Sequence, residues 1–293
     1  MLGFSPPTGG TAMPTPSELL AIWQSGIAAS EIVPILGPDS QTGSADAQGS
    51  PLPAQGRDLI LAMTGGKPLS PKLMAEFSRA AMNIEFKRGR KFIEAFLTEL
   101  YARDWSVTPQ MRWIAEAKPR CVIDLNRDSV LLDLLRDTPH VLIQGVARLS
   151  KADPRYRAFR AGAEGYLAVN EAAEGEALAS GDTPIVVKPL GCARPTPSYI
   201  ASDADYVDFI TELMGGFALP PFFKARRTGK RYLIAGVRLG RDTERMIVRD
   251  LVYGAHPEGA GWLVAETPTP KERRFAAQLG FELIDAPLAA FWP

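Results

Sequence analysis

Residues 31–40, EIVPILGPDS, constrain this chain more than any other stretch. Five apolar residues follow one another and end in a glycine, then in small or polar residues. A run so short and so apolar reads as a strand buried on both faces, the kind found in parallel sheets that helices cover on either side. In a doubly wound sheet the turn after the first strand is where a nucleotide phosphate is usually cradled. This turn is unusual for that role. Pro38 has no backbone N–H to donate, and Asp39 brings a negative charge to the place of a phosphate.

The pattern continues downstream. Strands are predicted over 32–36, 120–125, 140–147, 183–188, 231–237, 262–265 and 281–284, with short ones over 156–160 and 166–169. Helices are predicted over 16–28, 57–63, 129–135, 202–213 and 269–279, and one carries Met246, Ile247, Leu251 and Val252. Alternation of this kind argues for an α/β fold, a Rossmann-like layered and mostly parallel sheet. Apolar stripes at Leu73, Phe77, Ala80 and Ala81, and at Phe92, Phe96 and Leu100, mark three helices in the block 70–118. They form a helical insertion over about residues 66–118, between the first two strands. Residues 1–16, rich in Pro, Gly, Thr and Ser, read as a flexible arm and 17–293 as a single domain.

Several classes of function are disfavoured. With 33 basic and 33 acidic side chains, nothing global attracts nucleic acid or an anionic membrane. No apolar run approaches the roughly 18–20 residues of a membrane span. The N-terminus lacks the basic start and apolar core of a signal peptide. Cys121 and Cys192 are the only cysteines and form no zinc knuckle, so no metal is expected and a reducing cytoplasm fits. The only histidines are His140 and His256, which limits acid–base chemistry.

Local features carry two readings each. The polar loop 41–55 is functional or disordered. Together with the arm it is a candidate docking segment for a protein partner. The basic run 87–91 is a solvated helix face, or a phosphate or partner contact. Asp128 caps the following helix or serves chemistry, and Asn126 beside it could bind a ribose or order a water. Gly191 and Gly236 mark a close passage of backbone or the approach of a ligand. Asp205 and Tyr206 read as a cap and a core aromatic, and Arg241 with Asp242 as a surface pair. Arg238 and Arg241 lie just past a strand end, on the ligand side of such a sheet, where they could meet a phosphate.

In this order the motifs resemble the sirtuin-like domains of bacteria, in the divergent branch without structural zinc. That family ends its first strand in Gly-Ala-Gly-x-Ser, a later one in Thr-Thr-Asn-Tyr-Asp and another in Lys-Leu-His-Gly. A Ser/Thr-x-x-Asp-Tyr helix start follows, then an apolar-Gly-x-x-Leu/Ser-x-Asp turn. Here the corresponding stretches are ILGPDS at 35–40, DLNRD at 124–128, KPLG at 188–191, SDADY at 202–206 and LIAGVRLGRD at 233–242. The resemblance implies an NAD-binding domain acting at the nicotinamide–ribose bond. Gly37, Ser40, Asn126, Gly191, Gly236 and Arg241 would be cofactor contacts, and Asn126 and Asp128 the catalytic pair of an active enzyme.

The departures from that pattern point one way. Pro38 and Asp39 replace the Ala and second Gly of the phosphate turn, and the two threonines and the tyrosine of the Asn motif are missing. The family's histidine falls on Leu190, which accepts no proton. Cys192, two residues on, reads as packing. The expectation is a catalytically degenerate scaffold that binds NAD, ADP-ribose or a partner. The alternative is an NAD glycohydrolase in which Asn126 positions a water and Asp128 orients it or stabilises developing positive charge. Protein deacylation, which leans on the missing histidine, is disfavoured.

Overall fold

The computed structural model describes residues 14–147, 154–163 and 165–292. Among these, β1 (Ile32–Leu36), β2 (Cys121–Asp124), β3 (His140–Gly145), β4 (Tyr156–Gly162), β5 (Gly165–Ala168) and β6 (Ile185–Lys188) join one sheet with three later strands. Two residues each form a small hairpin, β7 (Gly191–Cys192) and β8 (Ser198–Tyr199). The later strands are β9 (Arg231–Ala235), β10 (Gly261–Ala265) and β11 (Phe281–Asp285). The sheet runs β11-β10-β9-β1-β2-β6-β3-β4-β5, parallel from β11 to β3, with β4 and β5 antiparallel at one edge. The mostly parallel α/β architecture expected from the sequence is the one observed. The chain moves from β1 to β2 in one direction and from β9 to β10 in the other, so the topological switch lies between β1 and β9.

Helices cover both faces. The first six are α1 (Pro16–Ala28), α2 (Gly56–Met63), α3 (Pro71–Met74), α4 (Phe77–Arg88), α5 (Arg90–Tyr101) and α6 (Pro109–Glu116). They are followed by α7 (Val130–Leu134), α8 (Glu171–Ser180), α9 (Asp203–Met214), α10 (Pro221–Arg227), α11 (Asp242–Leu251) and α12 (Pro270–Leu279). Strand side chains alternate between two cores, as a period of two requires. Leu36, Val122 and Val186 face the core shared with α1, α2 and the insertion. Ile35, Ile123 and Val187 face the one shared with α9 to α12.

Local structure differs from the sequence expectation in four places. The insertion holds four helices instead of three, because extended backbone at Glu76 (φ −146, ψ 108) divides the first stripe, leaving Leu73 in α3 and Phe77, Ala80 and Ala81 in α4. Helices α8 and α10 have no counterpart among the elements expected from the sequence. α8 buries only Leu178, so it has no apolar stripe to read, and α10 is seven residues long. The basic run is not simply a solvated face. Arg90 turns inward to the Asp205 carboxylate (2.5 Å) and the Tyr199 carbonyl (2.8 Å). Asp242 pairs with Arg245 rather than with Arg241.

Other expectations hold in detail. Ser202 caps α9 in a capping box with Asp205. The reading of loop 41–55 as disordered does not hold, since its turns are tied down. Ser44 Oγ donates to Ser106 O (2.7 Å), Ser106 Oγ accepts from Ala45 N–H (2.9 Å), and Asp46 Oδ1 accepts from Gln48 and Ser50 N–H. Of the arm, residues 1–13 lie outside the described residues, while Thr15 caps α1 in a capping box with Glu18.

Candidate functional site

The parallel register brings the C-terminal ends of β9, β1, β2 and β6 side by side. Leu36 stands between Asp124 and Ala235, and Ile123 pairs with Val187, which sets Asp124 beside Lys188 on the insertion side of the sheet. Beyond β1 the chain enters a one-turn 3-10 helix, Pro38–Gln41. A ligand in a doubly wound fold would occupy the crevice above these strand ends.

Backbone fills that crevice at the switch point. Gly37 N–H donates to Ala235 O (3.0 Å), Asp39 N–H to Gly236 O (3.0 Å) and Ser40 N–H to Gly37 O (2.9 Å). Pro38 has no N–H, so the donors of residues 37–40 are directed at protein carbonyls. The two loops touch so closely that a Cβ on Gly37 would stand 2.7 Å from Val237 Cα, and one on Gly236 2.5 Å from Ser40 N. Asp39 also faces the protein. Its carboxylate accepts from the Gln55 amide and from Arg238 Nε (2.9 Å), which joins loop 55 to the loop after β9.

Beneath this turn lies a buried polar network. Ser40 Oγ donates to Gly37 O (2.7 Å) and accepts from Asn126 Nδ2 (3.2 Å). Thr108 Oγ1 and Gln110 Nε2, at the start of α6, both donate to Ser40 O (2.8 and 2.6 Å). Asn126 N–H donates to Asp124 Oδ1 (3.0 Å). Asp128 Oδ1 accepts from Gln41 Nε2 (2.9 Å) and from Val130 N–H (3.0 Å), so Asp128 does tether the start of α7. Lys188 Nζ donates to Asp124 Oδ2 and to Asp128 O, both at 2.7 Å. Ser40, Gln41, Asp124, Asn126, Asp128 and Lys188 are all buried. Gln41 Oε1 and Ser129 Oγ are buried atoms of this region without a hydrogen-bond partner.

Three ionisable groups share this interior, Asp124, Asp128 and Lys188. Burial pushes the Asp128 carboxyl up, to about 6; the Lys188 ammonium opposes that rise and the Asp124 carboxylate adds to it. Burial lowers the Lys188 ammonium, but Asp124 and Asp128 outweigh it and leave that group raised. Lys188 therefore stays charged, balancing one carboxylate, and a second ionised carboxylate would leave a net negative charge in the core.

Among the residues singled out from sequence, Gly37, Ser40, Asn126, Asp128 and Gly236 meet here. Gly191 and Arg241 stand outside the network. Gly191 (φ +79) closes against the Ser198 backbone in the β7–β8 hairpin, and Arg241 N–H donates to Glu244 Oε2 at the start of α11. Gly191 and Gly236 thus both mark close passages of backbone. Leu190 is a core residue. Cys192 is buried, with a thiol that burial pushes up to about 11. His140 opens β3, and His256 N–H donates to Lys230 O just before β9, so both histidines sit at the opposite edge of the sheet. Sequence reasoning missed the Asp124–Lys188 pair, although each residue ends a strand that is otherwise apolar, and it missed the polar grip of Gln41, Thr108 and Gln110.

Two clefts lie elsewhere. One, of about 230 Å³, opens between residues 50–53 and α5. The other, of about 480 Å³, lies at the N-terminal edge of the sheet beside α1 and Trp262. Among the described residues no group of three or more His, Cys, Asp or Glu side chains is placed to hold a metal ion. No helix of those residues is long and apolar enough to cross a membrane. No protein-family model matches this chain, and no match was found among curated proteins.

Proposed function

We propose that this chain is a sirtuin-like domain protein that does not turn over NAD and serves as a partner-binding scaffold. The observation that carries this reading is the contact between Gly37 and Gly236. The crevice that would take a dinucleotide is occupied by the two loops themselves, and Asp39 N–H, a donor a phosphate would need, is spent on Gly236 O. Leu190 at the position of the family's histidine supports the same conclusion, since no proton acceptor replaces it. Large apolar side chains left in water, Val207 and Met214 on α9 and Phe217 just beyond it, support a role in binding a partner. A bacterial, cytoplasmic setting belongs to the same reading.

The glycohydrolase alternative draws on one observation. Asp128 is a carboxyl poised to exchange a proton near pH 6, on the same short loop as Asn126. Against it, Asp128 is buried and its Oδ1 is held by Gln41 and Val130.

The test is incubation of the purified chain with NAD while nicotinamide release is followed, with thermal shifts recorded for NAD and ADP-ribose at millimolar concentration. The expected result is neither release nor a shift. Release that Asn126→Ala abolishes would overturn the scaffold reading in favour of the hydrolase. A shift with ADP-ribose and no release would restore nucleotide binding to the scaffold.

A further inference from the structure

The cleft of about 230 Å³ at the insertion is lined by both apolar and charged side chains. Most of its lining is apolar. Pro51 and Pro53 of the loop face Phe96, Leu100 and Trp105. The indole is fixed by its Nε1–H, which donates to Leu100 O (3.3 Å). The loop wall is equally fixed. Leu52 N–H donates to Ser44 O, and Ser106 exchanges hydrogen bonds with Ala45, so the stretch 44–52 is tied down on both sides of the cleft. A pocket held open in this way loses little freedom when something enters.

The lining carries one charge of each sign. Glu99 and Arg103 are one helical turn apart, with their charged atoms 4.0 Å from each other. Arg103 also stands 3.8 Å from Asp46. Both distances exceed a hydrogen bond, and the Arg103 side chain is 48% exposed and that of Glu99 81%. Asp46 faces Arg103 through Oδ2, while its Oδ1 holds the N–H groups of Gln48 and Ser50, so Arg103 has a carboxylate on each side. The cleft thus offers a guanidinium and a carboxylate side by side, above an aromatic and proline-lined floor.

We propose that this cleft binds a small zwitterion with an aromatic side chain, an aromatic α-amino acid. Its carboxylate would meet Arg103, its ammonium Glu99, and its ring would lie among Pro51, Phe96, Leu100 and Trp105. A simple aromatic acid would leave Glu99 facing an anion, and a simple aromatic amine would leave Arg103 facing a cation. The inference does not depend on the state of the strand-end network.

The experiment is calorimetric titration of the full chain with L-phenylalanine, in parallel with phenylacetate and phenethylamine. Saturable binding of L-phenylalanine is expected, with each single-charge analogue about tenfold or more weaker. Arg103→Gln and Glu99→Gln should each weaken it by a similar factor. Ala62→Phe, which projects a ring into the cleft from an exposed position, should abolish it. Thermal unfolding of each variant checks that the fold is retained. No saturable binding at millimolar L-phenylalanine, equal binding of either analogue, or full binding by folded Ala62→Phe would each overturn the proposal.

Discussion

The Nζ of Lys188 lies 2.7 Å from Oδ2 of Asp124, and neither side chain is exposed to solvent. Two adjacent parallel strands place them there in register, each the last residue of its strand. Lys188 also holds the carbonyl of Asp128, so one ammonium closes the loop 124–128 onto the sheet. Removing the cation should be severe, because it strands a buried carboxylate. Lys188→Met is expected to cost about 3–5 kcal/mol in urea unfolding. Lys188→Met combined with Asp124→Leu should recover much of that loss, since a buried pair replaced by apolar groups is often close to neutral. A double variant no more stable than Lys188→Met would show that the pair is not the energetic unit.

Asp128 gives the protein a pH dependence of defined sign. Its folded pKa, about 6, lies above the ordinary carboxylate value. Between those values the folded state holds a proton that the unfolded state has released. Stability from this group is therefore present at low pH and lost as pH rises through about 6, by roughly 2–3 kcal/mol at most. Asp128→Asn keeps the acceptor for Val130 and Gln41 and removes the titration. Denaturation of both proteins from pH 4 to 7.5 should show the variant gaining on the parent as pH rises. A difference that does not change with pH would place the titrating proton elsewhere.

Closure of the β1–β9 crevice is testable through its glycines. Gly236 has φ +72, and an added Cβ would lie 2.5 Å from Ser40 N, a backbone atom with no room to retreat. Gly65 has a similar φ of +64 but open space around its Cα. Gly65→Ala should cost about 1 kcal/mol, the conformational penalty alone. Gly236→Ala should cost about 2–4 kcal/mol, because collision adds to conformation. Equal costs at the two positions would mean that the loops are not packed against each other.

Much of this was legible in the chain, and the omissions have physical causes. The apolar run 32–36 declares a strand buried on both faces, and Leu36 and Ile35 do pack into opposite cores. Ser202 and Asp205 declare a helix start through their spacing. Arg90 misled, because a run of basic residues looks solvated until Gly89 turns the chain and points one of them at Asp205. Helix α8 was invisible because a helix that buries only Leu178 has no periodicity. Gly37, Asn126 and Gly236 do follow the ends of β1, β2 and β9, but whether their loops leave a gap depends on sheet order. No local pattern encodes that Gly37 meets Gly236.

Asp39 separates two ways of closing the site. Its carboxylate bridges the Gln55 amide and Arg238, and the Arg238 side chain is 70% exposed. An exposed pair of this kind contributes about 0–1 kcal/mol, so Asp39→Ala should leave stability nearly unchanged. It also removes the negative charge from the phosphate position. If that charge were the barrier to a dinucleotide, Asp39→Ala would gain a thermal shift with NAD. The backbone packing of residues 37–40 on Gly236 persists in the variant, because its hydrogen bonds run between main-chain atoms. The expectation is therefore no shift with millimolar NAD for Asp39→Ala or for Asp39→Ala with Arg238→Ala. A shift in either variant would show that the side-chain latch, and not the main chain, keeps the crevice shut.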